Sequence, residues 1–168
     1  RLTRFDVIAK NITERKRIEQ EILQEKTTTE GILEGLPVPV FVIDRHHRIS
    51  HLNKACEELT GYARQDMLGT QRQWLPVYSR ERPTLADLAV DQNIKALEHY
   101  YAGHNLRQSS QFPGAFEATM HFPDLKGDER HLFLAASPIF SDQGQIIGAV
   151  QAMLDITERE RLAQNLKD

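Results

Sequence analysis

The sequence has a single cysteine, Cys56, so it cannot form a disulfide within the chain or a cysteine-rich metal site. It also lacks any apolar run near the roughly 18 residues that a membrane-spanning helix needs. No block of one charge sign stands out, and the net charge is only −3. The scarcity of cysteine favours a reducing compartment, so we expect a cytoplasmic location. Whether a parent protein is anchored in a membrane stays open. The lack of a positively charged block argues against nucleic-acid binding, which needs clustered positive charge.

The sequence also lacks the short motifs that mark common catalytic sites. It has no glycine-rich phosphate loop, no His-Glu-x-x-His metal motif and no Gly-x-Ser-x-Gly nucleophile motif. A histidine-kinase phosphoacceptor phrase and the Gly-Gly-Asp-Glu-Phe phrase of cyclases are absent as well. The chain begins without Met, so we expect it to be a piece of a longer protein. We predict that this piece is not an enzyme and that any catalysis lies outside it.

The first 36 residues combine many charges with sparse apolar positions. The stretch FDVIAK, at 5–10, is typical of the end of a strand, and a helix is predicted over 13–36, opened by Thr13. The seam positions of this helix, at coiled-coil spacing, are Ile18, Ile22, Glu25, Thr29, Ile32 and Leu36. This half-polar seam predicts a short coiled coil, with the mixed charges forming a solvated face.

The rest of the chain alternates between strand and helix patterns. Two strands joined by a polar turn are predicted around VFVID and ISHLN, then short helices over 54–70, an irregular excursion over 71–84 and a helix over 84–103. Three further strands are predicted around AFEATMHF, HLFLAASPIF and QIIGAVQAMLDI, and a last helix follows them. This order predicts an α+β domain on one antiparallel five-stranded sheet, with short helices on one face.

Three stretches resemble PAS domains, the sensory modules of bacterial signalling proteins. ELTGYARQDMLG resembles their helical segment, DQGQIIGAVQAMLDITERE their last strand with its Asp-Ile-Thr-Glu phrase, and VFVIDRHHRISHLNKA their opening hairpin. The resemblance covers residues 30–160. The phrase Ile-Thr-Glu-Arg stands both at 12–15 and at 156–159, which predicts a tandem array of domains and linkers. The alternative is that both phrases are only favourable helix starts.

The resemblance implies a domain organisation. We expect the tail of a preceding PAS-type domain at 1–12, a connecting coiled-coil-like helix at 13–36, the PAS domain at 37–157 and the start of an output helix at 158–168. The residues that match the terminal phrase, and so are implied to relay a signal to this helix, are Asp155, Ile156 and Thr157. The upstream copy has Asn11 in place of the aspartate, so no salt bridge is expected there.

In PAS domains the sheet curls around a pocket that the short helices close. The resemblance and the alternation of the strands together predict the residues of this pocket. The candidates are Phe41, Ile43, Leu59, Leu68, Arg72, Trp74, Leu85, Leu88, Phe116, Met120, Leu132, Leu134, Gln151 and Met153. They either fill the interior completely or leave a cavity for a ligand, and small strand residues such as Ala118 and Ala149 leave room for the second alternative.

The resemblance also names cofactors to weigh. Light-sensing members form a flavin adduct at a cysteine just after the helical segment. That position is Arg72 here, and Cys56 lies on the first short helix as an apolar filler, so no flavin–cysteine adduct is predicted. The cofactor is unknown, and one alternative is that there is none. Haem, with His99 as a weak candidate ligand, and a small organic ligand are lesser alternatives.

No metal site is predicted from the sequence. The histidines around the first turn, His46, His47 and His51, have no cysteine or carboxylate at ligand spacing, so we interpret them as solvated. The excursion at 71–84 has two interpretations. It is either a structural flap packed by Trp74, or a binding surface whose arginines suit a small organic anion.

Together these observations predict a sensory module that binds a small ligand or cofactor, dimerises, or does both. It would relay a signal through its flanking helices to an output domain, either a histidine kinase or a cyclic-dinucleotide enzyme. The expected partners are a second copy of the chain and neighbouring PAS and output domains, with no nucleic acid and no membrane contact. The alternatives are a ligand-free spacer that only dimerises, and a haem-based gas or redox sensor.

Overall fold

A computed structural model describes residues 1–167, in two compact units that meet between Gly35 and Leu36. The first unit is one helix, α1 (Arg4–Gly35), and every residue in it is at least partly exposed. The strand predicted at 5–10 is therefore wrong. A lone strand leaves its backbone groups without partners, whereas a helix pairs them internally. Thr3 and Asp6 start the helix with reciprocal hydrogen bonds of 2.9 and 3.2 Å.

The second unit begins with β1 (Val40–Asp44), β2 (Ile49–Leu52), α2 (Lys54–Thr60), α3 (Arg64–Met67), α4 (Leu85–Asp91) and α5 (Ile94–Tyr101). It continues with β3 (Arg107–Gln108), β4 (Phe116–Leu125), β5 (Asp128–Phe140), β6 (Ile146–Asp155) and α6 (Thr157–Lys167). The strands form one antiparallel sheet in the order β2-β1-β6-β5-β4-β3. The predicted α+β class is confirmed. The sheet has six strands rather than five, because β3 forms an additional edge strand. With only two residues, β3 is too short to give a strand pattern in the sequence.

The helix predicted over 84–103 is two helices. Thr84 and Asp87 cap the start of α4 reciprocally, and Gln92 then adopts a left-handed conformation with φ 51° that ends it. Asn93 accepts a hydrogen bond from the Ala96 amide and starts α5. The excursion at 71–84 carries neither helix nor strand, as predicted.

The core lies between the sheet and helices α2–α5. Along β4 the side chains alternate as predicted, with Phe116, Ala118, Met120 and Phe122 buried. At the centre of the sheet β6 runs very close to β1: a Cβ added to Gly148 would lie 2.3 Å from the carbonyl oxygen of Ile43. The absence of a side chain at Gly148 permits this close approach of the two strands, whose inner faces help to enclose the cavity described next.

Candidate functional site

A small cavity of about 20 Å³ lies in the interior of the second unit. Its walls are Phe41, Ile49, Leu52, Cys56, Thr60, Met67, Gln73, Pro76, Val77, Thr84, Gln151 and Met153. A water molecule needs roughly 10–15 Å³ measured in this way, whereas ligand pockets commonly offer about 300–1,000 Å³. In this conformation the cavity therefore has room for about one water molecule and not for a cofactor.

The structure brings three of the predicted pocket residues together around this cavity: Phe41, Gln151 and Met153. Most of the others are buried packing residues of the core instead, namely Ile43, Leu85, Leu88, Phe116, Met120, Leu132 and Leu134. Leu59 packs against that core from a partly buried position. Strand alternation found the inward-facing residues, but it could not tell which of them border a gap.

Three predicted pocket residues lie away from the interior. Leu68 is 39% exposed, because its neighbour Met67 takes the buried position at the end of the four-residue helix α3. Arg72 is exposed, and its guanidinium donates a hydrogen bond of 2.8 Å to the Asp66 carbonyl. Trp74 is half-buried and lines an open groove outside the core.

The residues considered for cofactor chemistry occupy positions that do not favour it. Cys56 is buried, and desolvation together with the nearby charge of Glu57 raises the pKa of its thiol to about 12, so it is a neutral thiol at pH 7. His99 is exposed on α5, packs edge-on against the ring of Tyr100 with ring centroids 4.8 Å apart, and does not line the cavity.

A polar network joins the first turn to the excursion and α4. The carboxylate of Asp87 is buried and accepts hydrogen bonds from His47 at 2.7 Å, from Gln73 at 2.8 Å and from the Thr84 amide at 2.8 Å. The other ring nitrogen of His47 lies 2.9 Å from Asp91. His47 is therefore not the solvated turn histidine that the sequence predicts. Its carboxylate partners stand about forty positions away in the chain.

Three carboxylates, with His47 and Arg82, shape the open groove beside Trp74. Its lining residues are His47, Gln71, Gln73, Trp74, Glu81, Arg82, Pro83, Asp87, Asp91 and Tyr100. Arg72 and Arg80, the other two arginines of the excursion, do not line this groove. The guanidinium of Arg82 packs over the Tyr78 ring at 3.9 Å within the excursion, and over the Tyr100 ring of α5 at 4.7 Å, and the second contact ties the excursion to the domain. The groove thus matches the structural-flap interpretation better than an anion-binding surface.

The predicted relay residues form a tightly bonded junction between β6 and α6. Asp155 accepts hydrogen bonds from the Thr157 amide at 2.9 Å and from the Thr157 hydroxyl, and its other oxygen lies 2.9 Å from Arg130. The backbone of His131 on β5 completes the junction. It donates to the Thr157 hydroxyl at 3.0 Å and accepts from the Ile156 amide at 2.9 Å.

The charge of Asp155 is favoured within this junction. Partial burial alone would raise the pKa of its carboxyl group, but the hydrogen bonds from Thr157 and the positive charge of Arg130 outweigh that effect and lower it. The carboxylate therefore stays ionised at neutral pH, where it caps the positive end of α6. Any shift of β5 along β6 must disturb either this cap or the backbone bonds of His131.

Among the residues that the structure describes, no helix is both long and apolar enough to cross a lipid bilayer.

Comparison with known proteins agrees with this architecture. Family models described as PAS fold match residues 27–71 and 113–161. The chain is 22% identical over 156 residues to the probable diguanylate cyclase DgcE of Escherichia coli and 25% identical over 164 residues to the virulence sensor protein BvgS of Bordetella bronchiseptica. It spans only 13% and 12% of the lengths of these two relatives.

The solved PAS domain of Bordetella pertussis BvgS has a similar fold. The match covers 89% of this chain and 98% of that one, at 21% identity and a TM-score of 0.54. Two family matches, which flank residues 72–112 and together cover more than half of the chain, show with the antiparallel sheet and its covering helices that this chain belongs to the PAS family.

Proposed function

We propose that the domain at 37–157 is a regulatory module that relays a conformational signal from its sheet to α6 and on to an output domain outside this chain. The junction of Asp155, Ile156 and Thr157 is the observation that carries the proposal. It couples three elements, β5, β6 and α6, through side-chain and backbone hydrogen bonds. An input that favours one geometry of this junction tenfold shifts the equilibrium by about 1.4 kcal/mol.

The relatives support an output domain in the parent protein. One is named a probable diguanylate cyclase and the other a virulence sensor protein, and this chain spans a small part of each. We therefore propose a cytoplasmic parent segment that controls a cyclic-dinucleotide enzyme or a histidine kinase, with catalysis outside the PAS domain. Residues 1–12 would belong to a preceding PAS-type domain, as the repeated Ile-Thr-Glu-Arg phrase predicts.

Homodimerisation through the flanking helices is part of this proposal. The seam of α1 exposes apolar side chains, with Ile18 at 48%, Ile22 at 62% and Ile32 at 60% exposure. At the seam position Thr29, the hydroxyl donates to the Glu25 carbonyl at 3.0 Å, so this polar group is satisfied within its own helix. A half-polar seam of this kind suits a dimer that changes register, because it stabilises no single alignment strongly.

A ligand-free spacer is the second candidate function, and the small interior favours it. The cavity of about 20 Å³ supports the proposal that the domain holds no haem, no flavin adduct and no organic ligand of ordinary size in this conformation. The spacer and the relay differ in one respect. A spacer needs only its dimer contacts, whereas a relay needs the junction at Thr157.

Replacing Thr157 by Val tests the relay, because this change keeps the side-chain shape and removes the hydroxyl that bonds Asp155 and His131. We expect amide exchange across 158–167 to become roughly fivefold faster or more, since each lost hydrogen bond contributes about 0.5–1.5 kcal/mol. In the parent protein we expect the same change to alter output activity. Ser137→Ala, which removes a hydroxyl from β5 away from the junction, is the control and should alter neither quantity. Unchanged output with Thr157→Val would favour the spacer.

A further inference from the structure

Three metal-ligating side chains come together on the outer face of the sheet. His121 lies on β4, and Glu129 and His131 lie on β5. One donor atom from each of the three lies within 4.8 Å of the other two. His121 Nε2 is 2.7 Å from the Glu129 carboxylate, and His131 Nε2 is 4.0 Å from the same oxygen. None of these three residues belongs to a site predicted from the sequence.

Strand pairing explains why these side chains converge. His121 and His131 face each other across β4 and β5. The N–H and C=O of His131 both bond toward Ile156 and Thr157, so the two histidines form a pair without mutual backbone hydrogen bonds. Side chains approach most closely in pairs of this type, and the two rings stack at 4.5 Å. Glu129, two residues before His131, points to the same face.

We propose that His121, Glu129 and His131 bind a divalent transition-metal ion, with Zn²⁺ as the ion that their donors suit best. Imidazole nitrogen and carboxylate oxygen are common zinc ligands at about 2.0–2.2 Å, and tetrahedral geometry then separates neighbouring donors by roughly 3.3 Å. The observed separations of 2.7 and 4.0 Å lie on either side of that value. Small side-chain rotations therefore bring the three donors onto one ion.

The exposure of the site fits an exchangeable ion rather than a structural one. The side chains of His121, Glu129 and His131 are 45%, 54% and 28% exposed. Three protein ligands leave a fourth position for water or another ligand, and solvent reaches that position directly. Structural zinc sites, in contrast, are closed by four protein ligands.

The site shares a residue with the junction to α6, and this part of the inference rests on the proposed relay function. His131 offers its side chain to the ion, while its backbone bonds Ile156 and Thr157 at the start of α6. A bound ion would hold β4 and β5 together at this point. It would thereby stabilise the junction in the geometry described here, so that metal occupancy becomes an input to the relay.

Calorimetric titration of the metal-free, untagged chain with ZnCl₂ tests the site. We expect one Zn²⁺ per chain, with binding weakened at least about tenfold in His121→Ala and in Glu129→Gln, since even the loss of a residue supporting a zinc ligand costs that much. His99→Ala, which removes an exposed histidine from α5, is the matched control and should bind normally. No binding by the native chain, or undiminished binding by the double variant His121→Ala/His131→Ala, would overturn the site.

Two further measurements separate the site from its coupling. Co²⁺ in place of Zn²⁺ should give the intense visible absorption of a tetrahedral nitrogen–oxygen site in the native chain and not in His121→Ala. Amide exchange over 158–167 should slow at least about threefold when Zn²⁺ is added to the native chain. If Zn²⁺ binds and this exchange does not change, the coupling is wrong while the site stands. The Thr157→Val experiment then tests the relay independently.

Discussion

At the scale of single residues, the stability of the domain depends on positions where a substitution would create a steric clash or remove a charge interaction. Gly148 permits the close approach of β6 to β1, and His47 holds two carboxylates from another element. Both residues look ordinary in the sequence. Each becomes important only because a partner far away in the chain is brought against it.

Replacing Gly148 by Ala is expected to destabilise the domain. The added Cβ would lie 2.3 Å from the Ile43 carbonyl oxygen and 3.3 Å from the Cα of Asp44, so the two strands must separate. Overpacking of this kind costs about 1–3 kcal/mol of unfolding free energy, measurable by urea unfolding. Gly31→Ala, at a helical position with no atom within 4 Å, is the control and should leave unfolding of the domain unchanged. Equal stability of the two variants would contradict the steric argument.

The His47 contacts predict a stability that depends on pH. Partial burial would lower the pKa of His47, but its bonds to Asp87 and Asp91 outweigh this and raise it above the ordinary value of 6.5. The stabilisation is therefore complete below about pH 6.5 and is lost as the pH rises through the raised pKa.

We thus expect His47→Gln to reduce the free energy of unfolding more at about pH 6 than at about pH 9, as followed by urea unfolding at each pH. His46→Gln changes an exposed histidine in the same turn and serves as the control. A loss of stability that is identical at both pH values would exclude the charge interaction as its source.

At the scale of elements, caps determine where the helices begin and end. The caps at Thr84 and Asn93, with left-handed Gln92 between them, divide one apolar stripe into α4 and α5. Helix α1 also begins at a cap, formed by Thr3 and Asp6, but its apolar side chains are exposed. Its exposed apolar seam is what we expect to contact a second copy of the chain.

Replacing Ile22 by Asp is expected to weaken that dimer. A buried charge in a coiled-coil seam loses apolar contact and its hydration, so the dissociation constant should rise more than about tenfold, measured by analytical ultracentrifugation. Leu23→Asp is the matched control: Leu23 is 63% exposed against 62% for Ile22, but it stands outside the seam. If both variants dimerise as the native chain does, α1 is not the interface.

At the scale of the whole molecule, a nearly filled interior and a hydrogen-bonded exit to α6 favour the proposal that inputs act on the surface of the domain or on the proposed dimer. The cavity of about 20 Å³ is too small for an internal ligand of ordinary size in this conformation. The surfaces next to β5 and α6 are, in contrast, polar and open.

We therefore expect the purified chain to carry no bound organic mass in native mass spectrometry and no visible absorption band. Adding haemin should leave its melting temperature within about 1 °C, because ligands stabilise only the folded states that bind them. A stoichiometric bound mass, or an intense band near the violet end of the spectrum, would mean that the interior opens to admit a ligand.

Much of the fold was predictable because its signals are local. Alternation along β4 identified every second residue from Phe116 to Phe122 as inward-facing. The Asp-Ile-Thr phrase identified where β6 passes into α6. These features depend on side-chain periodicity and on caps, which act within a few residues. The strand predicted at 5–10 was wrong because such a short pattern does not distinguish a strand from the exposed helix that these residues form.

The sequence alone determined the α+β class, the inward faces of the strands and the position of the junction between β6 and α6, because each depends on neighbouring positions in the chain. Only the tertiary structure decided which distant residues meet. An irregularity in pairing between Phe122 and Leu125 shifts the register so that His121 faces His131, and the fold carries Asp87 to His47. Such contacts depend on strand register and on helix placement, and the energy that selects them is spread over the whole core rather than over any short motif.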